Sequence, residues 1–357
     1  MSQPWWKSLP NPFASRKPRV MYVVRNFPQI SQTYIRSEIE ALQADYEISV
    51  VTLTKPNVPY ARHVPFREIA DPHEVREAIQ QFRPDVLHSH YLNQCEIYEA
   101  LLERGLETPY TFRAHSFDTL TGESALARRA ATVINHELCL GVLTFPFTRP
   151  LLERAGIRGE KIVDCWPVVN YPLFHDRSPN GDAVMNIGAA IPKKRMEDFV
   201  DLGAALPEIA FDLYAVGHIV EQLAQYNAAK GSPVRIMPPV EPDEMPREYK
   251  KHRWLVYTAS RKMATVGWPM AVAEAQASGA GVCMPNLRPD VREYVGPGIV
   301  YDEIGEVAQI IAQPVPEAMR ELGFEHAKRS DVFRHKRILT DLWEQAGLRA
   351  RSAAPLL

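Results

Sequence analysis

The stretch Val266 to Cys283, VGWPMAVAEAQASGAGVC, combines a loop, a helix and a strand in quick succession. Gly267 and Pro269 mark the loop, and Pro269 suits the first turn of a helix, where its missing N–H is not needed. Residues 270–278 are rich in alanine and favour a helix. Residues 281–284 are typical of a short buried strand. A loop, a helix and a strand in this order predict an α/β protein.

The start of the predicted helix has the features of an anion site. Free N–H groups at a helix N-terminus that follows a glycine loop can face an anionic ligand. Glu274 projects from the first turns of the same helix. The alternative is an alanine-rich helix that only packs on a sheet, and composition alone does not decide between the two.

Strands and helices alternate along the rest of the chain. The alternation starts at residue 19, breaks at residues 169–182, which have the Pro, Asn, Ser and Gly of a linker, and restarts at residue 183. It predicts two parallel sheets, each covered by helices on both faces. Ligands of such sheets bind at the carboxyl ends of the strands, so we expect the site in the cleft between the two halves.

Composition limits the classes of function. The 357 residues are enough for two domains with substantial cores. The net charge of −2 provides no overall attraction to nucleic acid, and the dispersed basic residues predict no nucleic-acid partner. No apolar run approaches the length of a membrane span. The four cysteines lack metal-ligand spacing and are typical of reduced thiols in a cytoplasmic protein.

Residues 1–18 form an extension rich in proline, tryptophan and basic residues. Trp5 and Trp6, beside Lys7 and Arg16, suit a peripheral contact with a membrane surface. In the alternative, the tryptophans pack onto the protein's own first domain. We therefore expect a cytoplasmic protein, and the sequence leaves open whether this arm touches the inner face of the membrane.

Several segments resemble known motifs, in their order along the chain. The opening stretch matches the pattern EGxPxxxxEAxAxG at every marked position except the first, which is Val266. Residues 27–35, FPQISQTYI, resemble FPxxSETFI, and residues 111–118, TFRAHSFD, resemble FTxHxxD. Further similar segments lie at residues 88–91, 168–174, 188–195 and 211–217. With these motifs the chain resembles the retaining glycosyltransferases of family 4, in particular members that build surface polysaccharides.

The resemblance implies an α/β protein of the GT-B fold, in which two Rossmann-like domains face a central cleft. It implies an extension at residues 1–18, an acceptor-binding domain at 19–170, a nucleotide-sugar-binding domain at 171–335, and a final helix at 336–357 that returns to the first domain. The implied reaction moves a hexosyl or deoxyhexosyl group from a nucleotide-diphosphate-sugar donor to a hydroxyl of a saccharide or glycolipid. No metal or other cofactor is implied, and the chain has no Asp-x-Asp pair.

The resemblance also implies which residues hold the donor. Lys194, flanked by Lys193 and Arg195, is the implied cation for the leaving diphosphate, on which charge develops during the reaction. Its alternative is a solvated basic turn. His115 is implied to contact a donor-sugar hydroxyl near the reacting carbon, and its alternative is a buried histidine bonded to the backbone. The other implied contacts are Gly267, Trp268, the amides of Met270 and Ala271, and Glu274, which accepts from the ribose hydroxyls.

The acceptor is expected on the N-terminal side of the cleft. The implied contacts are Ser31, Thr33 and His90, with Arg25 as an anion contact. Retaining transfer in this fold is thought to need no separate base, because the departing phosphate oxygen takes the proton of the acceptor.

Two positions depart from the family pattern. Val266 stands where a Glu binds donor-sugar hydroxyls, and Ala189 stands where an Arg contacts phosphate. Either the donor sugar is held differently, as a deoxy sugar would be, or the protein is a non-catalytic partner subunit that binds sugar nucleotides. An isomerase or a phosphorylase on the same fold is a further alternative, but the motifs of a pyridoxal-binding lysine and of an epimerase acid–base pair are both missing.

Overall fold

The computed structural model describes residues 16–345, except residues 55, 57, 58, 62, 72, 121–124 and 264. The predicted membrane contact of Trp5 and Trp6 therefore lies outside the described residues. None of the described helices has both the length and the apolar composition that crossing a membrane requires.

The first domain is built on a seven-stranded parallel sheet with the strand order β3-β2-β1-β4-β5-β6-β7. Its strands are β1 Arg19–Asn26, β2 Glu47–Thr54, β3 Phe66–Glu68, β4 Val86–His90, β5 Tyr110–Arg113, β6 Cys139–Thr144 and β7 Ile162–Asp164. Its helices are α1 Thr33–Leu42, α2 Glu74–Phe82, α3 Cys95–Glu103, α4 Ser116–Leu120, α5 Ala125–Ile134 and α6 Arg149–Arg154.

The second domain is built on a six-stranded parallel sheet with the order β10-β9-β8-β11-β12-β13. Its strands are β8 Ala183–Ala189, β9 Phe211–Val216, β10 Arg235–Ile236, β11 His252–Val256, β12 Gly281–Pro285 and β13 Ile299–Tyr301. Its helices are α7 Tyr171–Phe174, α8 Met196–Ala205, α9 Val220–Ala229, α10 Met245–Lys250, α11 Met270–Ala277, α12 Asp290–Val295, α13 Ala308–Ile311 and α14 Glu317–Ala327, and α15 Val332–Gln345 follows.

Both sheets are buried on two faces, which explains the continuous apolar runs of their strands. In β1, Met21 belongs to one hydrophobic core and Tyr22 to another, because successive side chains point to opposite faces. In β11, Leu255 and Trp254 divide in the same way between two further cores. The predicted architecture of two covered parallel sheets is confirmed.

Gly281, in the opening stretch, is set by close packing inside the second sheet. A Cβ atom at this position would come within 2.3 Å of the Trp254 ring on the neighbouring strand β11. Only glycine leaves room for that ring, so β12 can pair with β11 while Trp254 stays buried.

The sequence predicts a helix over residues 31–42, with Ser31 as its N-cap, and a strand over residues 85–88. Both boundaries differ in the structure, at the edge of the cleft. Helix α1 begins at Thr33 and not at Ser31, and its N-cap is Gln32, which makes no side-chain capping bond. Strand β4 continues through His90, although the prediction ended it at His88. The strand extends this far because His90 pairs with Arg113 of β5. The strand is fully buried, but the polar residues His-Ser-His are not typical of a buried strand.

The last described helix, α15, packs on the first domain. Trp343 is fully buried there and lies edge-on to Tyr46 at 5.2 Å between ring centroids. The backbone N–H of Val332 donates to the carbonyl of Val169 at 2.8 Å, where the chain leaves the first domain. This helix begins before residue 336, the predicted start of the final helix.

Candidate active site

A cavity of about 460 Å³ lies between the two sheets, and residues at the carboxyl ends of both sheets line it. Most of the residues predicted to bind substrates meet in this cleft. They are Ser31, Thr33, His115, Lys193, Lys194, Val266, Gly267, Trp268, Met270, Ala271 and Glu274. Arg25, His90 and Arg195 are not among its lining residues.

Lys194 lies in the loop that follows β8 and brings a cation to the cleft. Its Nζ stands 4.2 Å from the centroid of the Tyr257 ring, and among the described residues it has no carboxylate partner. Burial, together with the charge of Lys193, lowers the pKa of Lys194 to about 7. The Thr258 hydroxyl donates to the carbonyl of Lys194 at 2.7 Å and fixes the loop to the end of β11. The Lys194 amine therefore has no counter-ion nearby in the described part of the chain, and an anionic ligand would supply one.

Arg195, which the resemblance implies as a neighbour of Lys194 at the nucleotide sugar, does not line the cleft. Its side chain is exposed and forms an ion pair with Asp198 at 2.6 Å, outside the cleft lining. Its backbone is left-handed, with φ of 48°, where it caps α8. The sharp turn sends the side chain of Arg195 away from that of Lys194, which adjacency in the sequence could not reveal.

The N-terminus of α11 opens onto the cleft without a side-chain cap. Pro269 is the N-cap residue in an extended conformation, and Val272 donates its N–H back to the carbonyl of Pro269 at 3.1 Å. The N–H groups of Met270 and Ala271 have no hydrogen-bond acceptor among the described residues, and both residues line the cavity. Free N–H groups at the positive end of a helix dipole favour an anion.

Glu274 lies one turn further along α11 and also lines the cavity. Its Oε2 accepts a hydrogen bond from the hydroxyl of Tyr249 at 2.7 Å. Burial raises the pKa of Glu274 to about 7, although the bond from Tyr249 opposes the rise. One carboxylate oxygen is thus held in place, and the other has no partner among the described side chains.

Val266 stands where the resemblance implies a carboxylate, and its side chain is apolar and buried. It is 3% exposed and belongs to the hydrophobic core around α11. Its backbone carbonyl accepts a hydrogen bond from Arg288 at 2.8 Å, and Arg288 is in turn ion-paired with Asp290. The side chain at this edge of the cleft offers no acceptor to a sugar hydroxyl.

Gly267 is one of the points at which the second domain touches the first. A Cβ atom here would lie 2.5 Å from the Cβ of Ser116, the residue after His115. Trp268 continues the contact, since its ring stacks on Tyr294 and lies near Phe145 of the first domain. The loop before α11 and the loop that carries His115 are therefore packed directly against each other.

The chain resembles known proteins in both sequence and fold. Residues 31–145 match a family model described as a glycosyl transferase 4-like domain. The Anabaena protein HepE, solved in complex with UDP and glucose, has a TM-score of 0.73 at 14% identity, over 92% of this chain and 100% of that one. Sucrose-phosphate synthase from Thermosynechococcus elongatus has a TM-score of 0.71 at 16% identity, over 92% and 99% of the two chains. The fold is GT-B.

A third GT-B structure is the lipopolysaccharide outer core galactosyltransferase WaaB, with a TM-score of 0.61 at 13% identity over 92% of this chain and 99% of that one. No curated protein matches the chain. The predicted GT-B fold is confirmed over nearly the whole length of these structures.

Beneath His115 the GT-B cleft has a buried polar floor that the sequence analysis did not identify. Glu38 is its centre: Oε2 receives two hydrogen bonds from Arg113, at 2.5 and 3.1 Å, and Oε1 receives one from Tyr22 at 3.0 Å. The Nε2 atoms of His88 and His90 lie 3.1 and 3.2 Å from the same Oε1. The sequence contains one sign of this floor: Glu38 lies three residues after Ile35, on the apolar face of α1, where a carboxylate is unusual.

His90 belongs to this floor and not to the acceptor side of the cleft. It is 1% exposed, and its Nδ1 lies 3.1 Å from Nε2 of His115, which lines the cleft above it. Arg25 is also misplaced by the prediction, because it faces a separate depression of about 270 Å³ with Thr54 and Gln94. Both residues lie at the end of a strand, where successive side chains point to opposite faces of the sheet.

Glu38, His88 and His90 form the one group of described residues whose ligand atoms approach one another closely enough for a metal ion, within 4.8 Å. The oxygens of Glu38 are already occupied by hydrogen-bond donors and by the positive charge of Arg113. Arg113 occupies one oxygen of Glu38, and the two imidazoles and Tyr22 converge on the other. A cation would have to displace the guanidinium, so the donor set does not fit a resident metal.

Proposed function

We propose that this protein is a retaining glycosyltransferase that transfers a sugar from a nucleotide-diphosphate donor to a hydroxyl acceptor. The observation that carries the proposal is the meeting of Lys194, the uncapped N-terminus of α11 and Glu274 in one cleft, opposite His115. This set offers a cation, free N–H donors and a carboxylate, which match a diphosphate and a ribose. The match of residues 31–145 to a glycosyl transferase 4-like domain supports it.

The diphosphate would lie between Lys194 and the first amides of α11. Both sources of positive potential are fixed before the ligand arrives, and such preorganised groups stabilise charge that develops on a leaving phosphate. A bound diphosphate would also raise the pKa of Lys194 from about 7, so that the ammonium form dominates in the complex.

The nucleoside would be oriented by Glu274. A carboxylate only accepts hydrogen bonds, so it suits the paired hydroxyl donors of a ribose. Tyr249 holds one oxygen in place and leaves the other for the sugar. Ionisation of Glu274 on binding would be favoured by these new hydrogen bonds.

The transfer step would take place on one face of the donor sugar. The bond from the anomeric carbon to the phosphate oxygen breaks, and a bond from the same carbon to the acceptor oxygen forms on that face. The departing phosphate oxygen takes the acceptor's proton, so no separate base is required. His115 contacts a donor-sugar hydroxyl, and no metal is needed, because Lys194 and the helix N-terminus meet the charge of the diphosphate.

The acceptor would enter on the side of Ser31 and Thr33, which line the N-terminal wall of the cleft. A saccharide or glycolipid of surface-polysaccharide synthesis is the class we propose, and the similarity in fold to the lipopolysaccharide enzyme WaaB supports it. Neither Arg25 nor His90 is part of this acceptor site, since neither lines the cleft.

The test is a panel of nucleotide-diphosphate sugars, measured first by the shift in thermal unfolding and then by release of nucleoside diphosphate. A binding nucleotide should raise the unfolding temperature, because a ligand that binds only the folded state stabilises it. Turnover of at least one donor supports the proposal. A thermal shift by a nucleotide without turnover of any donor favours the second candidate.

That second candidate is a partner subunit that binds sugar nucleotides without transferring the sugar. The observation in its favour is Val266, whose buried side chain removes an acceptor from the donor-sugar side of the cleft. The transferase is the better supported of the two, because Lys194, the N-terminus of α11, Glu274 and His115 all line the same cleft.

A further inference from the structure

His115 presents an imidazole to the cleft, and which nitrogen carries its hydrogen decides what it can bind. Its Nε2 points inward and lies 3.1 Å from Nδ1 of His90. No described residue forms a hydrogen bond with its Nδ1. This atom is not fully enclosed by the protein, so a ligand in the cleft can reach it. The direction of the inner hydrogen bond therefore fixes the chemistry of the outer nitrogen.

Glu38 sets that direction from below. Burial alone would raise the pKa of Glu38, but the guanidinium of Arg113 and the nearby His88 and His90 hold it well below its usual range. The group is thus a carboxylate, which can only accept hydrogen bonds. His90 must consequently direct an Nε2–H towards Glu38, over 3.2 Å.

The hydrogen bond between His90 and His115 then has only one possible direction. Burial lowers the pKa of His90 to about 4, in spite of its bond to Glu38, so the ring is neutral near pH 7. A neutral imidazole with hydrogen on Nε2 has a lone pair on Nδ1. The hydrogen between the two rings therefore belongs to Nε2 of His115.

A second chain of polar contacts leads from α15 to the same carboxylate. The indole N–H of Trp343, on α15, donates to the Thr111 hydroxyl at 3.2 Å. That hydroxyl lies 2.8 Å from Nδ1 of His88, whose Nε2 lies 3.1 Å from Glu38. A hydrogen on Nε2 of His88 would thus face the same carboxylate as the one on Nε2 of His90, although the contact of His88 lacks hydrogen-bond geometry.

We propose that Glu38, acting through His90, holds His115 in the tautomer with hydrogen on Nε2, so that Nδ1 accepts a hydrogen bond from a donor-sugar hydroxyl. Glu38 and His90 are positioning residues in this account, and His115 is the group that touches the sugar. The sugar contact rests on the proposed function, whereas the tautomer does not.

The arrangement determines which donors the cleft favours at this point. An acceptor nitrogen forms a hydrogen bond with a hydroxyl of the donor sugar. It forms none with a deoxy carbon or with a group that can only accept. Burial, followed by the nearby His90 and Arg113, lowers the pKa of His115 well below its usual range, which keeps Nδ1 free of a proton. The preference should therefore persist into mildly acidic solution.

The test is the tautomer itself, read from the ¹⁵N chemical shifts of protein labelled at histidine. The His115 signals are assigned by their loss in His115→Gln. We expect hydrogen on Nε2 of His115 in the native protein. We expect the same in His90→Gln, since an amide can donate to Glu38 and accept from His115. In His90→Leu, which offers no acceptor, the preference should weaken. Hydrogen on Nδ1 of native His115, or an unchanged tautomer in His90→Leu, would overturn the proposal.

A kinetic measurement separates this proposal from the proposed function. The native enzyme and His90→Gln should favour a donor with the contacted hydroxyl over its deoxy analogue by about fivefold in kcat/KM, the range for one neutral hydrogen bond. His90→Leu should lose most of that preference. If the native protein turns over no donor, the proposed function and the sugar contact both fail, while the tautomer is still decided by the chemical shifts.

Discussion

Lys194 brings an amine with a pKa of about 7 to a partly buried site without a counter-ion among the described residues. Lys194→Ala should lower kcat by tenfold to about a hundredfold, since a hydrogen bond to a charged group contributes roughly 1.5–3 kcal/mol and this one strengthens as the phosphate leaves. The matched control is Arg195→Ala, which removes a neighbouring charge outside the cleft. Steady-state turnover of the two variants decides the assignment, and a larger loss in Arg195→Ala would reject it.

Glu274 has a raised pKa of about 7, so the proposed binding of a nucleoside to it should depend on pH. The carboxylate form accepts from the ribose and the protonated form does so poorly, so the affinity for a nucleoside should fall as the pH drops below about 7. A nucleoside is the right probe, because it lacks the diphosphate that would report on Lys194. Calorimetry should show a much flatter pH dependence in Glu274→Gln. An equally steep dependence in that variant would place the titrating group elsewhere.

In the proposed function, the apolar side chain of Val266 would disfavour a donor hydroxyl at its edge of the cleft. Leaving a buried hydroxyl unpaired costs about 1–3 kcal/mol, so the native enzyme should prefer a donor that is deoxy or modified at this point. Val266→Glu should shift the preference in kcat/KM towards ordinary hexose donors. A native preference for ordinary hexoses, raised further by Val266→Glu, would contradict this account of donor choice.

At the scale of elements, the loop before α11 is fixed against the loop that carries His115. Gly267→Ala places a Cβ 2.5 Å from that of Ser116, and overpacking of this kind costs about 1–3 kcal/mol. We expect a lower unfolding temperature and lower turnover. Ser116→Gly removes the opposing atom, so the double variant should recover part of both losses. Strictly additive losses would show that the two loops do not meet in this way.

The sequence predicted the elements well where one residue type dominates and less well where polar side chains are buried. The alanine-rich helix α11 ends within one residue of its predicted C-terminus, because its residues favour the helix in any context. Strand β4 was cut short at His88, and Glu38 on α1 was not identified. These polar groups are buried because they satisfy one another across three elements, and that pairing depends on contacts distant in sequence.

At the scale of the molecule, the two domains meet through polar and aromatic contacts as well as through Gly267. Arg36 of α1 forms an ion pair with Asp243 of the second domain at 2.6 Å, and Trp166 lies 4.9 Å from Trp268 between ring centroids. The cleft itself was predictable, since ligands of parallel sheets lie at the carboxyl ends of the strands. The fine placement of Arg195 and Arg25 was not, because it depends on backbone turns that residue order does not specify.

Release of nucleoside diphosphate tests most directly whether this cleft transfers sugar from a nucleotide-diphosphate donor. The measurement compares the native protein with Lys194→Ala across a panel of donors, with thermal unfolding used to confirm that both are folded. We predict release from at least one donor by the native protein and a loss of tenfold or more in Lys194→Ala. Binding of nucleotide by the native protein, with no release from any donor in the presence of saccharide and glycolipid acceptors, would contradict the proposed transfer.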